Sequence, residues 1–449
     1  MNELEPGLTL GERYELEVAA AREAVQDLSQ LAMFSGSASQ TMRYQVAQIP
    51  EMYGEGAVQF TPLVETELDV FHKDERQQGM GAFKARGAFT NGWLTLERQP
   101  EVREIVACSA GNHAQGVAQF VGWHNKNYDW GLSAHAFMAQ TASAAKKDAL
   151  IAQGATIHDS GFANLEEARR GAEEFAEATL RPAAIIDPYA AAETIAGQGT
   201  ILTEIVLQLW ELGVDTTAQP MRFFAGWGGG GKSLGQAEVL KQLIAKGHVH
   251  PESKIIAAQE EFTDSGIRGL ERYDSGNTDM LGLFAPGEFS AANDGSAVKV
   301  PDLRNIALAQ KYRDEGLLEF MRVSKAEVGQ AMINNPGTEP AGALSIAGQR
   351  KHRNQYRAND TAALEVCVVS GGNLTPQKFA EYKAAAKQSF DQTPHTLGGY
   401  VLRAVTPVAT EREYSAPREV IEAYLSQLAS LGMEVLPSSL SRPTNRRTF

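Results

Sequence analysis

Four short segments carry residue types whose spacing could do chemistry. In Gly226-Trp-Gly-Gly-Gly-Gly231-Lys232-Ser233, four consecutive glycines, Gly228, Gly229, Gly230 and Gly231, fall between an apolar run and a helix-period segment. Backbone N–H groups freed by such a loop converge on an anion at a helix N-terminus. The run also fits the nucleotide P-loop pattern G-x-x-x-x-G-K-[ST]. A nucleotide hydrolase needs a second apolar strand ending in Asp to hold magnesium, and the next run, Lys254–Ala258, continues into Gln259, Glu260 and Glu261 instead. The motif therefore specifies phosphate rather than nucleotide. A P-loop nucleotide-binding protein stays open as an alternative, as does a glycine run used only for close packing of strand and helix. Ser109-Ala110-Gly111-Asn112-His113 ends an apolar run and opens a helix, a cup of N–H donors suited to a carboxylate. Gly81-Ala-Phe83-Lys84-Ala-Arg-Gly-Ala surrounds a lysine with small neighbours that let a planar ring approach, and Phe83 can pack beside such a ring. Taken alone, a lysine in such a segment reads far more readily as a solvated helix charge. The fourth segment, Val369-Ser370-Gly-Gly-Asn373, closes another apolar run.

In their order and spacing these segments resemble the threonine dehydratase (threonine ammonia-lyase) group of fold-type II pyridoxal phosphate enzymes, the superfamily of serine racemase and tryptophan synthase beta. The resemblance runs from about Phe60 to Gln377 and adds Ala196-Gly-Gln-Gly-Thr200 with Glu204, Asp294-Gly-Ser-Ala-Val298 and Glu339-Pro-Ala-Gly-Ala343. It implies that Lys84 carries the cofactor through a Schiff base and serves as the catalytic base, which requires a pKa lowered by burial and cationic neighbours. It further implies that Phe83 packs on the pyridine ring, that Gly228 to Gly231 cradle the phosphate, that Asn112 bonds the ring hydroxyl and that Ser370 faces the ring nitrogen. Glu339 is placed opposite the cofactor, and Ser109, Ala110, Gly111, Asn112 and His113 receive the substrate carboxylate. The implied reaction is β-elimination from a small β-hydroxy amino acid, L-threonine or L-serine, giving a 2-oxo acid and ammonia. An uncharged partner on the ring nitrogen weakens the electron sink and favours elimination.

Where the chain departs from that pattern, substrate identity is affected. Ala110 stands where racemising members carry a serine, which favours dehydration over racemisation. Ala82 replaces a common serine and Gly79-Met80 a common Pro-Thr pair, so an ammonia-lyase acting on another β-substituted amino acid, such as diaminopropionate or hydroxyaspartate, is the alternative within the class. Lys232 and Trp227 replace aliphatic residues. Lys232 reads either as a charge for a phosphate or an acidic substrate, or as a solvated helix-start lysine. Some relatives carry a divalent cation near Gln259 to Ser265. Gln259 and Ser265 take the place of the acidic ligands that hard cations want, and no metal is expected there. His113 reads as a loop-orienting residue, and Cys108 as strand packing.

The elements that must position these residues read as alternating short apolar strands and helix-period segments, an α/β pattern with mostly parallel sheets. Strands are expected at Glu104–Ala110, His135–Ala139, Ala183–Ile186, Arg222–Ala225, Lys254–Ala258 and Leu364–Val369. Helices are expected at Ala144–Gln153, Leu165–Ala178, Ile201–Leu212, Leu234–Ala245, Lys325–Asn334, Ala341–Gln355, Pro376–Phe390 and Pro417–Leu431. The resemblance implies two three-layer αβα domains with twisted sheets. A large cofactor-binding domain spans residues 56–95 and 185–395, and a smaller one is inserted at 96–184. N-terminal (1–55) and C-terminal (396–449) extensions hold a helix-like Leu16–Met33 and a strand-like Gly399–Ala404.

Length and composition bound the rest. With 449 residues, more than one structural unit is expected. The formal charge of −14 speaks against nucleic acid or an anionic membrane as partner. Two cysteines, Cys108 and Cys367, sit in apolar runs and point to free thiols in a reducing compartment. No basic, apolar leader or long apolar span stands out, so a cytoplasmic enzyme is expected, and the resemblance implies a homodimer or homotetramer.

Overall fold

The computed structural model describes residues 56–67, 69–289, 296–356 and 363–392, together with the two-residue strands Val401–Leu402 and Leu440–Ser441. The expected helices Leu16–Met33 and Pro417–Leu431 lie outside the described residues. Of the strand-like Gly399–Ala404, Val401–Leu402 is observed as a strand.

In chain order the main elements are β1 (Leu63–Glu67), β2 (Val70–Asp74), α1 (Lys84–Arg98), β3 (Glu104–Cys108), α2 (Asn112–Tyr128), β4 (Ser133–Phe137), α3 (Ala144–Ala152), β5 (Thr156–His158), α4 (Leu165–Ala178) and β6 (Ala183–Ile185). They continue as α5 (Ala192–Glu211), β7 (Met221–Gly226), α6 (Gly231–Ala245), β8 (Lys254–Glu260), α7 (Ser265–Asp274), α8 (Leu303–Asp314), β9 (Leu318–Val323), α9 (Lys325–Asn334), α10 (Pro340–Tyr356), β10 (Leu364–Val369) and α11 (Pro376–Gln392).

Two sheets result. The larger runs β1-β2-β10-β7-β8-β9 and the smaller β5-β4-β3-β6; every pairing in them is parallel except β1 with β2. Strand alternation sorts side chains into separate cores. In the larger sheet Phe223, Ala225, Ile255, Ala257, Val366 and Val368 face α5, α6 and α8, while Phe224, Ile256, Ala258, Cys367 and Val369 face α9, α10 and α11. In the smaller sheet Ile105, Ala107, Ala134 and Ala136 face α1, α2 and α3, while Val106 and Phe137 face Ala168 and Ala172 of α4. Both sheets are thus the middle of three layers, and burial of each large apolar side chain contributes about 1.5–3 kcal/mol. Close helix crossings bind the layers. A Cβ at Gly197 would stand 2.7 Å from the Arg86 carbonyl oxygen, and one at Gly235 would stand 2.1 Å from that of Ile195, so α1, α5 and α6 meet backbone to backbone.

In open parallel sheets ligands bind beyond the carboxyl ends of the strands. The loops after β2, β7 and β10 of the larger sheet, and after β3 of the smaller, carry residues singled out by sequence.

Candidate active site

The lysine segment is held from beneath by the end of β10. The Phe83 N–H donates to the Ser370 carbonyl at 3.0 Å, and the Gly372 N–H donates to Gly81 O at 3.0 Å. Lys84 opens α1, and its Nζ donates to the Pro188 carbonyl at 2.6 Å. Burial pulls the Lys84 pKa down to about 8, against the opposing pull of Asp187. Asp187 itself is pinned, its Oδ1 accepting the N–H groups of Tyr189 at 2.8 Å and Ala190. The Asp187–Pro188–Tyr189 turn thus aims one carbonyl at the lysine and lays the Tyr189 ring against the glycine loop.

Two residues beyond Lys84, a buried ion cluster fixes the start of α1. Arg86 reaches Glu75 with Nε at 2.8 Å and Glu204 with Nη1 at 2.5 Å, and Lys73 reaches Glu204 at 2.6 Å. Two cations and two carboxylates balance, and burial, which would raise the Glu75 pKa, is outweighed by Arg86 and Lys73, which hold it below its usual value. Cluster members are supplied by β2 (Lys73), the loop after it (Glu75), α1 (Arg86) and α5 (Glu204), so the cluster ties these elements together under the lysine.

Above the lysine, Asn112 Nδ2 donates to Glu339 Oε1 at 2.8 Å, and Asn373 Nδ2 donates to Asn112 Oδ1 at 2.7 Å and to Met80 O at 3.0 Å. This chain of amides and a carboxylate joins the first turn of α2 to the start of α10 and the loop after β10. A Cβ at Gly371 would stand 2.1 Å from Glu339 Oε1, which is why glycine follows Ser370. Ser370 Oγ donates to Ala341 O at 3.2 Å.

Both glycine-bearing loops leave donors free. Among the described residues, the N–H groups of Gly228 to Ser233 find no acceptor, and intrahelical bonding in α6 resumes with Leu234 N–H to Gly230 O at 3.0 Å. Gly230 adopts φ +96°, a conformation that turns successive N–H groups to one side. In the second loop the Gly111 N–H is taken by Ser109 Oγ at 3.0 Å, leaving those of Asn112 and His113 without an acceptor. His113 Nε2 meets the Ile186 carbonyl at 2.7 Å, so that nitrogen carries the proton, and burial with the nearby Lys84 pushes its pKa down to about 4. The ring is neutral and anchors the loop.

All of the sequence-derived residues converge here: Phe83, Lys84, the Ser109–His113 loop, Gly228 to Gly231, Glu339 and Ser370. Sequence reasoning missed the Asp187–Tyr189 turn and the roles of Lys73, Glu75, Arg86 and Glu204. The solvated reading of Lys232 is corrected, since its side chain is 5% exposed. Cys108 and Cys367 both lie in strands, and burial raises both thiols, Cys108 to about 11.

Residues 55–371 match the family model described as pyridoxal-phosphate dependent enzyme. The chain belongs to this family. It is 33% identical over 306 residues to the biosynthetic L-threonine dehydratase of Pasteurella multocida, a match covering 68% of this chain and 53% of that protein. It is 32% identical over 316 residues to the catabolic L-threonine dehydratase of Staphylococcus aureus, covering 69% of this chain and 80% of that one. The chain spans about half the length of several of these curated relatives. Among solved structures, the processed form of threonine deaminase isoform 2 from Solanum lycopersicum superposes with a TM-score of 0.61 at 26% identity, covering 78% of this chain and 94% of that one. The fold is therefore fold-type II and the cofactor of the family is pyridoxal phosphate.

The residues present fit that cofactor. A dianionic phosphate suits the unpaired N–H groups of Gly228 to Ser233, and an aldehyde requires a buried amine with a depressed pKa, which Lys84 supplies.

Proposed function

We propose that this enzyme is an ammonia-lyase that removes water and then ammonia from a β-hydroxy amino acid, L-threonine or L-serine, to leave a 2-oxo acid. The observation that carries the reading is the buried Lys84, with its pKa near 8, between two loops whose N–H groups lack acceptors. Similarity to threonine dehydratases supports the substrate class.

In this reading Lys84 holds the cofactor, Gly228 to Gly231 its phosphate, Phe83 one ring face, Asn112 and Glu339 the hydroxyl side and Ser370 the ring nitrogen. When bound, the cofactor supplies an electron sink for the pair left at the α-carbon. The substrate carboxylate rests on the Ser109–His113 loop, where the free N–H groups of Asn112 and His113 orient the α-proton toward Lys84. In its neutral form Lys84 Nζ accepts that proton. The β-hydroxyl departs as water, taking up the proton that Lys84 Nζ has accepted, and the released enamine becomes an imine that water hydrolyses to ammonia and, from threonine, 2-oxobutanoate. Ala110 offers no hydroxyl to return a proton to the opposite face, so elimination outruns racemisation.

The Asn112–Glu339 and Asn373–Asn112 bonds would join two lobes, 56–95 with 185–395 and 96–184, whose closure would exclude water from the site. A cytoplasmic homodimer or homotetramer fits the free thiols and the family resemblance. No helix among the described residues is long and apolar enough to cross a membrane.

The test is ammonia release from a panel of L-threonine, L-serine, diaminopropionate and hydroxyaspartate, with the keto acid assayed in parallel. Fastest turnover of threonine or serine is expected. A preference for diaminopropionate or hydroxyaspartate would move the enzyme to the alternative substrate class.

A further inference from the structure

Lys232 is the second residue of α6, next to the glycine loop, and its side chain is nine-tenths buried. Among the described residues its Nζ makes no hydrogen bond or ion pair; it lies over the ring of Phe83, 5.0 Å from the centroid, while Lys84 Nζ lies 5.2 Å from the same centroid. The charged groups acting on it are Glu75, Lys84 and Glu339. Neither carboxylate is available to pair with it: Glu75 is held by Arg86 and Thr61, and Glu339 accepts from Asn112. A buried ammonium without a partner is costly unless an anion arrives to meet it.

Its surroundings say which anion. Lys232 opens α6 directly after the glycine loop and shares the Phe83 ring with Lys84, so its ammonium stands on the glycine-loop side of the slot. The free N–H groups of Gly228 to Ser233 include its own.

We propose that Lys232 is a cofactor-binding residue whose ammonium pairs with the cofactor phosphate, adding a full charge to a cradle otherwise built from backbone N–H groups. This rests on the reading that the glycine loop holds that phosphate. Burial and the neighbouring Lys84 lower the Lys232 pKa to about 7, which an arriving dianion would reverse.

The test titrates apo-protein with pyridoxal phosphate and, separately, with pyridoxal, which lacks the phosphate, for wild type, Lys232→Met and Lys232→Arg. Lys232→Met is expected to weaken pyridoxal phosphate by at least about tenfold, the scale of one charge-assisted contact, and to leave pyridoxal within about twofold. Lys232→Arg is expected to retain most of the affinity. The melting temperature of apo Lys232→Met should be equal to or above that of wild type, because an unpaired buried charge is gone, while its rise on adding pyridoxal phosphate shrinks. Unchanged affinity for pyridoxal phosphate, equal weakening of both ligands, or a lower apo melting temperature would each overturn the proposal. Separately, a wild-type protein that does not prefer pyridoxal phosphate to pyridoxal would remove the glycine-loop reading, and the proposal with it.

Discussion

Lys84 is poised by its surroundings rather than by its own chemistry. A lysine in water is protonated at neutral pH and cannot accept a proton; burial moves Lys84 to a pKa of about 8. Its neutral fraction grows as pH rises through that value, so the rate at which the apo-protein takes up pyridoxal phosphate should climb between about pH 7 and 9 and then level, with log(rate) slope near one on the acid side. His113, held neutral with a pKa near 4, should contribute no limb in that range. A flat profile from pH 6 to 9 would contradict the assignment. At this scale the chemistry was legible in sequence because each loop is local: Phe83-Lys84, Ser109 to His113 and Ser370 keep their neighbours along the chain. Pro188 was not legible. Its contribution is a backbone carbonyl delivered by a turn, and no residue type signals that.

The glycine loop shows how an element's geometry limits substitution. Gly230 sits at φ +96°, and a Cβ there would stand 2.6 Å from the Trp227 ring. Gly230→Ala should therefore cost about 1–3 kcal/mol and weaken pyridoxal phosphate, measured by denaturant melts and by titration of the apo-protein. Wild-type stability with wild-type affinity would show that the loop does not need this conformation. Several elements matched their sequence pattern, α4, α9 and β10 to the residue. Others did not, for physical reasons. The sequence reading started α5 at Ile201, but the helix begins at Ala192, and Gly197 and Gly199 in the added turns are crossing points with α1 and α6. No amphipathic stripe marks α1, because Ala85 to Leu94 are buried on all sides, including Arg86 and Asn91. Mostly exposed along its length, β1 offers no apolar alternation to read.

Across the whole molecule, the loops at the carboxyl ends of two separate sheets must meet over one lysine, and the buried Lys73–Glu204–Arg86–Glu75 cluster sets where that lysine stands. Arg86→Ala leaves two buried carboxylates short of a partner and should destabilise the fold by about 3–5 kcal/mol in denaturant melts. A loss below about 1 kcal/mol would show that water or a neighbouring group takes over its bonds. The α/β class and parallel sheets followed from alternating strand and helix patterns. The cluster did not, since its members are spread from Lys73 to Glu204 and only the packing of α1 on α5 brings them together.

Whether Lys84 carries the cofactor and acts on threonine is decided by the visible absorption spectrum of the purified protein, wild type and Lys84→Ala, before and after L-threonine. A yellow wild-type protein is expected, its band changing on adding threonine as 2-oxobutanoate accumulates, with no such lysine-bound band in Lys84→Ala. A wild-type protein that stays colourless with added pyridoxal phosphate, or a yellow Lys84→Ala protein that still turns threonine over, would contradict that role for Lys84.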